Sequence, residues 1–284
     1  MRVEEYLEYR VSVGEISRSS ADAYGYLLRQ WCEFAGPVEG WTTGLAGRWV
    51  HDEQLRPNSR KNRLSRLRPY ARWLVEVGEL PADITCGVQR VRVPRGTPRD
   101  MAHDDVSRLL DVVPDDRGRV IIMLMAHCGL RAVEISRLRV EDVDVRRRTL
   151  DVRGKGGGGG VTRTVPVPSE PWSVLGRYLS AMGWSSGPIV RNQRWEPVDG
   201  ISAGRVSVLV QRWVREAGLK VFPWDGVSGH ALRHTCAQRL VDDGADIRLA
   251  QLLLGHVSVA TTEIYVRREP PGLREAMEQR RYVA

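Results

Sequence analysis

The sequence predicts a mainly α protein with a small β-sheet, an α+β chain in two domains. Three observations carry that reading. Apolar residues recur at three- and four-residue spacing over most of the chain. Strict alternation occurs in one place only, at residues 149–153 and 163–167, on either side of a glycine run carrying Lys155. Around residues 91–101 periodicity fails: VRVPRGTPRDM holds two prolines and four charges that fit no helix face, so an interdomain linker is expected there. A length of 284 residues suits two domains of ordinary size.

Taken in order, residues 1–92 read as a helical domain and 93–100 as the linker. From Ser19, the residues Tyr24, Leu27, Leu28, Trp31 and Phe34 mark one apolar helix face, with Ser19 and Ser20 as the expected N-caps. A second helix follows Pro57-Asn58-Ser59, with Leu64, Leu67, Ala71 and Leu74 along one side and Lys61, Ser65, Arg68 and Arg72 along another. From Arg56 to Arg72 there are seven basic residues and no acidic one. Such a stripe is either a solvated face or a helix laid against phosphates. Pro69 sits inside the pattern and is expected to kink or split it. Residues 101–284 form the second domain. Helices are expected at 104–113, at 120–128 with a stop at Gly129, at 131–138, 171–182, 202–217, 231–243 and 247–254. The two alternating segments make strands of a hairpin.

Composition bounds the function. With 42% hydrophobic and 27% charged residues the chain is globular rather than disordered. No apolar run approaches the ~20 residues that cross a bilayer, and MRVEEYLEYR is no signal peptide, so no membrane partner is expected. A net charge of +8 suits a polyanionic partner without proving one. Of 43 basic residues only Lys61, Lys155 and Lys220 are lysines. GC-rich coding explains the bias, and it makes a lysine at a hairpin tip conspicuous. Cys32, Cys86, Cys128 and Cys236 form no CxxC pair, which favours a reduced, cytoplasmic location over a zinc module.

Two familiar readings fail. A phosphate-binding loop needs glycine five residues before the Gly-Lys pair and Ser or Thr after it, whereas Thr149 and Gly156 stand there and a strand follows. His230 and His234 have metal-chelating spacing, but Ala231 occupies the place of the metalloprotease glutamate, and no nearby carboxylate or cysteine completes a tetrahedral set. No metal and no cofactor are expected.

What remains is CGLRAVEISRL, with Arg131 after Gly129-Leu130 and Glu134 one turn on; Lys155 at its hairpin; and the run from Gly229 to Arg267. Singly, each has a dull reading: an i, i+3 ion pair, a solvated tip, a surface tyrosine. Together they resemble the tyrosine recombinase family, the phage integrases and Xer-like recombinases. His230-Ala-Leu-Arg233-His234, then Leu254-Gly255-His256, then Tyr265 nine residues later fall in the family's order, after its Gly-Leu-Arg and hairpin lysine.

The resemblance implies site-specific strand exchange through a covalent 3′-phosphotyrosine and a Holliday junction, with Tyr265 as nucleophile. Residue chemistry fits that implication. Arg131 and Arg233 can fork onto non-bridging phosphate oxygens and stabilise charge added in the transition state. His230 is the expected proton acceptor for Tyr265, and His256 a hydrogen-bond donor to phosphate. Glu134 is expected to orient the arginines, and His234 to be structural. Lys155 is the expected acid for the leaving 5′-oxygen, since lysine can release a proton where arginine cannot. The five glycines after Lys155 depart from the family's tighter turn.

The resemblance also implies that residues 1–92 clamp core-site DNA, moving Lys61, Arg68 and Arg72 toward DNA contact. Little room precedes Ser19 for an arm-binding domain, so a minimal form is expected. Partners would be double-stranded DNA of core-type attachment sites, three further copies in a tetramer on synapsed DNA (a monomer being expected in free solution), and an accessory directionality factor. A phage or mobile-element integrase is the favoured role. A Xer-like dimer resolvase is the alternative within the class, and an inactive DNA-binding regulator the alternative outside it. The tail, residues 269–284, opens with Glu269-Pro270-Pro271-Gly272 and is expected to dock on a neighbouring subunit.

Overall fold

The computed structural model describes residues 2–93, 101–154, 162–192, 200–220 and 227–255. The chain divides into two compact units, Met1–Gly96 and Thr97–Ala284, and is mainly helical with one small sheet. All but the first residue of the expected linker lies outside the described residues.

The first unit holds α1 (Val3–Ser12), α2 (Arg18–Ala35), α3 (Thr43–Val50) and α4 (Pro57–Glu76). Two of these, α1 and α3, have no counterpart among the expected elements. Ser17 caps α2, its Oγ accepting from the Ser20 N–H at 3.3 Å, in place of the expected Ser19 or Ser20. Phe34, expected on the apolar face, is 49% exposed, because Leu28, Trp31 and Cys32 already fill the interior side of α2. There the Trp31 ring meets Trp41 at 5.1 Å and Trp49 at 5.4 Å, both edge-on.

Pro69 does not split α4, which runs through it. A proline inside a helix costs about 3 kcal/mol. On both sides of it α4 buries Leu64, Leu67, Tyr70, Ala71, Trp73 and Leu74. Large apolar side chains contribute roughly 1.5–3 kcal/mol each when fully buried, so packing outweighs the lost bond.

The second unit opens with α5 (His103–Val112), α6 (Asp116–Cys128) and α7 (Ala132–Arg137). An antiparallel sheet follows, β1 (Val143–Asp144), β2 (Thr149–Arg153) and β3 (Thr162–Pro166), in that order across the sheet. Then come α8 (Ser169–Met182), α9 (Ala203–Glu216), α10 (Gly229–Asp242) and α11 (Ile247–Leu254). Every residue of α6 from Val120 to Ala126 is buried, as a helix apolar on all sides must be. It starts ahead of the apolar run because the Asp115 carboxylate accepts from the Gly118 N–H at 2.7 Å. The two-residue β1 is too short to show alternation, which is why the sequence pattern missed it.

Candidate active site

The site begins where α6 stops. Gly129 adopts a left-handed conformation, φ 64°, and a Cβ there would lie 2.6 Å from Leu254 Cδ2. Glycine is therefore required twice over, for the turn and for the approach of α11. Arg131 follows with extended backbone as the N-cap of α7, and its N–H turns back to donate to Glu134 Oε2 at 2.8 Å. Its Nη1 donates to Glu134 Oε1, also at 2.8 Å.

Two more arginines reach the same carboxylate. Arg163, on β3, donates from Nη1 to Oε1 and from Nη2 to Oε2, each at 2.9 Å, a two-pronged fork. Arg233, on α10, is buried and brings Nη1 within 3.7 Å of Oε2. It also donates to the Gly129 and Leu254 carbonyls.

The C-terminus of α11 completes the arrangement. The Leu253 carbonyl accepts from Arg163 Nε at 2.7 Å, and the Leu254 carbonyl accepts from Arg131 Nη1 at 3.4 Å as well as from Arg233. Terminal helix carbonyls lack partners within the helix and carry partial negative charge, so guanidinium groups suit them. Gly255 ends α11 at φ 60°, and a Cβ there would stand 3.2 Å from Arg163 Cδ.

One carboxylate faces three guanidinium groups, which leaves the cluster positively charged. Burial pushes the Glu134 carboxyl up, yet the Arg163 hydrogen bonds, the Arg131 N–H and the charges of Arg163 and Arg233 outweigh it and hold the carboxyl below its ordinary value. The side chain of Arg131 is 26% exposed, against 12% for Arg163 and 5% for Arg233. An incoming anion thus meets Arg131 as the most open of the three.

His230 stands exposed in the first turn of α10, its N–H held by the Ser228 hydroxyl at 3.3 Å. Partial desolvation of the ring, then the charges of Arg233 and Arg131, lower its imidazole pKa and favour the neutral form. A fixed positive basin beside a neutral imidazole can bind an anionic oxygen pair and accept a proton. His234 is half-buried one turn further along.

Arg131, Glu134 and Arg233 thus come together, with His230 in electrostatic reach of both arginines. Lys155, His256, Tyr265 and the tail lie outside the described residues. Arg163 was not anticipated. Its signal is strand parity: in β3 it shares the inward face with buried Val165, an unusual place for an arginine. Among the described residues no group of three His, Cys, Asp or Glu side chains could hold a metal ion. No helix among them is long and apolar enough to cross a membrane.

In the first unit, Lys61, Ser65, Arg68 and Arg72 line one groove of about 560 Å³ together with Arg10 and Arg90. Lys61 and Arg72 are exposed, Arg72 pairing with Asp83 at 3.3 Å. Arg68 is half-buried and donates to the Thr85 and Val88 carbonyls at 3.4 and 3.3 Å. Other basic residues of the stripe serve the fold: Arg60 holds the Leu55 carbonyl, Arg63 covers the Trp49 ring at 4.5 Å, and Arg66 covers Tyr24 at 3.9 Å.

Residues 99–270 match the phage integrase family. The chain is 32% identical to the tyrosine recombinase XerA of Thermococcus kodakarensis, over 99% of this chain and 95% of that protein. A match to the tyrosine recombinase XerA of Pyrococcus furiosus, at 34% identity, covers 66% of this chain and 64% of that protein, under two thirds of its length. Among solved structures, a lambda integrase dimer bound to a COC′ core site shares the fold with a TM-score of 0.74 at 19% identity, over 91% of this chain and 95% of that one. By family match and near full-length similarity, the chain belongs to the phage integrase family, the tyrosine recombinases.

Proposed function

We propose that this chain cleaves and rejoins double-stranded DNA at a specific core-type site through a phosphotyrosine at Tyr265. The Tyr265 oxygen attacks phosphorus while the 5′-oxygen leaves, giving a 3′-phosphotyrosine and a free 5′-hydroxyl. His230 accepts the tyrosine proton and Lys155 protonates the leaving oxygen. Arg131 and Arg233 hold the non-bridging oxygens, His256 donates a further hydrogen bond, and Glu134 orients the arginines. Attack of a partner strand's 5′-hydroxyl reverses the step, so the energy of the broken bond is retained. The observation that carries this reading is the convergence of Arg131 and Arg233 on Glu134 and on one carbonyl, Leu254, beside a neutral His230.

Residues 1–92 serve as the core-site DNA-binding domain, with Lys61, Arg68 and Arg72 on phosphates, and residues 101–284 as the catalytic domain. The core-site complex named for the lambda integrase supports DNA as the partner. Four copies act on synapsed sites, with an accessory factor setting direction, in the bacterial cytoplasm. Integration of a phage or mobile element is the favoured role. Dimer resolution is the second reading, supported by the near full-length similarity to XerA.

Tyr265→Phe tests the chemistry. On a nicked substrate that traps cleaved product, the parent should give a covalent adduct on a denaturing gel. The variant should give none while binding DNA as before. An adduct persisting in the variant would overturn the assignment.

A further inference from the structure

Resting on the proposed roles of Arg131 and Arg233, we infer that Arg163 is a positioning residue of this active site: it fixes Glu134 and the end of α11, and through them the two phosphate-binding arginines. An ionised carboxylate offers about four acceptor positions. On Glu134 two are taken by Arg131, through its N–H and Nη1, and two by the Arg163 fork. Arg163 therefore supplies half of the bonding that orients the carboxylate to which Arg131 is tied. Its third bond, from Nε to the Leu253 carbonyl, anchors the residue next to Leu254, whose carbonyl receives both Arg131 and Arg233. Gly255 leaves space for its side chain, since any Cβ would press on Cδ and Nη1 at 3.2 and 3.4 Å.

Arg163 is a poor candidate for direct contact with DNA. Its side chain is 12% exposed, and both prongs of the fork face Glu134 rather than solvent. Opposite it on β2 stands buried Val152. It acts on phosphate only through what it holds. Its loss strips two bonds from a buried carboxylate and lets Arg131 swing, which weakens charge stabilisation in the transition state rather than binding of the duplex.

The test compares Arg163→Gln and Arg163→Lys with the parent on two nicked substrates. One carries the natural phosphate and the other a methylphosphonate at the cleavage position, which has one negative charge fewer. Arg163→Gln should cleave the natural substrate about 10- to 100-fold more slowly, by analogy with the loss of a group that orients a metal ligand. On the methylphosphonate the deficit should shrink several-fold, because less charge needs holding. Arg163→Lys, which keeps one cationic donor, should recover part of the rate, and DNA affinity should stay within about twofold. Equal loss on both substrates, or no loss, would overturn the inference. Should Arg163→Gln fail to fold, a double variant replacing both Arg163 and Glu134 by Gln removes the buried pair together. If Arg163 acts chiefly through Glu134, the double variant cleaves within a few-fold of Glu134→Gln alone, the Leu253 bond accounting for the remainder, whereas a further loss of about 10-fold or more would overturn the inference. A parent that forms no adduct would instead sink the recombinase reading, so the two failures are distinct.

Discussion

In α4, each cation has partners of its own: two carbonyls for Arg68, the Trp49 ring and neighbouring oxygens for Arg63, solvent and Asp83 for Arg72. Around Glu134, three converge on one buried carboxylate. Arg72 keeps a 64% exposed side chain and one contact to Asp83, whereas Arg163 and Arg233 are 12% and 5% exposed and each makes several. The contrast separates two uses of one residue type. A cation left in water adapts to any phosphate and is worth little to the fold. Cations locked around a buried carboxylate are costly to assemble and have their positions set before substrate arrives, which is what charge stabilisation requires.

Breaking the buried cluster gives the largest expected effect. Glu134→Ala leaves three guanidinium groups without their shared partner. Removing one member of a buried ion pair typically costs about 3–5 kcal/mol. Urea unfolding of the variant should show a loss of that size, while Arg72→Gln in the other unit should stay within about 0.5 kcal/mol of the parent. Comparable losses would erase the distinction between the two regions.

A pH series sharpens it. The Glu134 carboxyl is held below its ordinary value, so its ionised form stabilises the fold above the usual carboxylate range. That stabilisation is lost as pH falls through the depressed folded value. The stability gap between parent and Glu134→Gln should therefore be widest near neutral pH and narrow under acid. A gap that is constant with pH would mean that the carboxylate charge is not what the arginines need.

A small effect on stability should accompany a clear effect on binding. Replacing Arg68 and Arg72 together by Gln removes two proposed phosphate contacts. Affinity for all DNA sequences should fall similarly, and the slope of log affinity against log salt should flatten by about 2. Stability should change by no more than about 1 kcal/mol, since the Arg68 bonds to two carbonyls are long, at 3.3 and 3.4 Å. Unchanged DNA affinity would return this groove to an ordinary solvated face.

Much of the fold was legible because the helices obey simple periodicity: α2, α4 and most helices of the second unit follow their apolar spacing. Legibility failed where a local rule met tertiary packing. Pro69 reads as a break, yet the apolar side chains around it keep α4 whole. Phe34 reads as core, yet the interior of its unit is already filled by tryptophans. In the site, Arg131, Glu134, His230 and Arg233 could be found because each sits in a short stretch with recognisable order. Arg163 could not. In a chain where nearly every basic residue is arginine, one more on a strand draws no notice, and its partner lies 29 residues earlier in the chain.

The carbonyls at the end of α11 belong to the main chain, and that places them beyond the reach of ordinary substitution. Any residue at 253 or 254 presents the same oxygen to Arg163, Arg131 and Arg233. Sequence drift can alter how α11 packs, but it cannot delete these acceptors as it could delete a carboxylate. Only a change that moves the helix end, such as a side chain at Gly255, can part it from the arginines. This part of the wiring is thus inherited through shape alone, and two distant relatives could share it with no identical residue at either position.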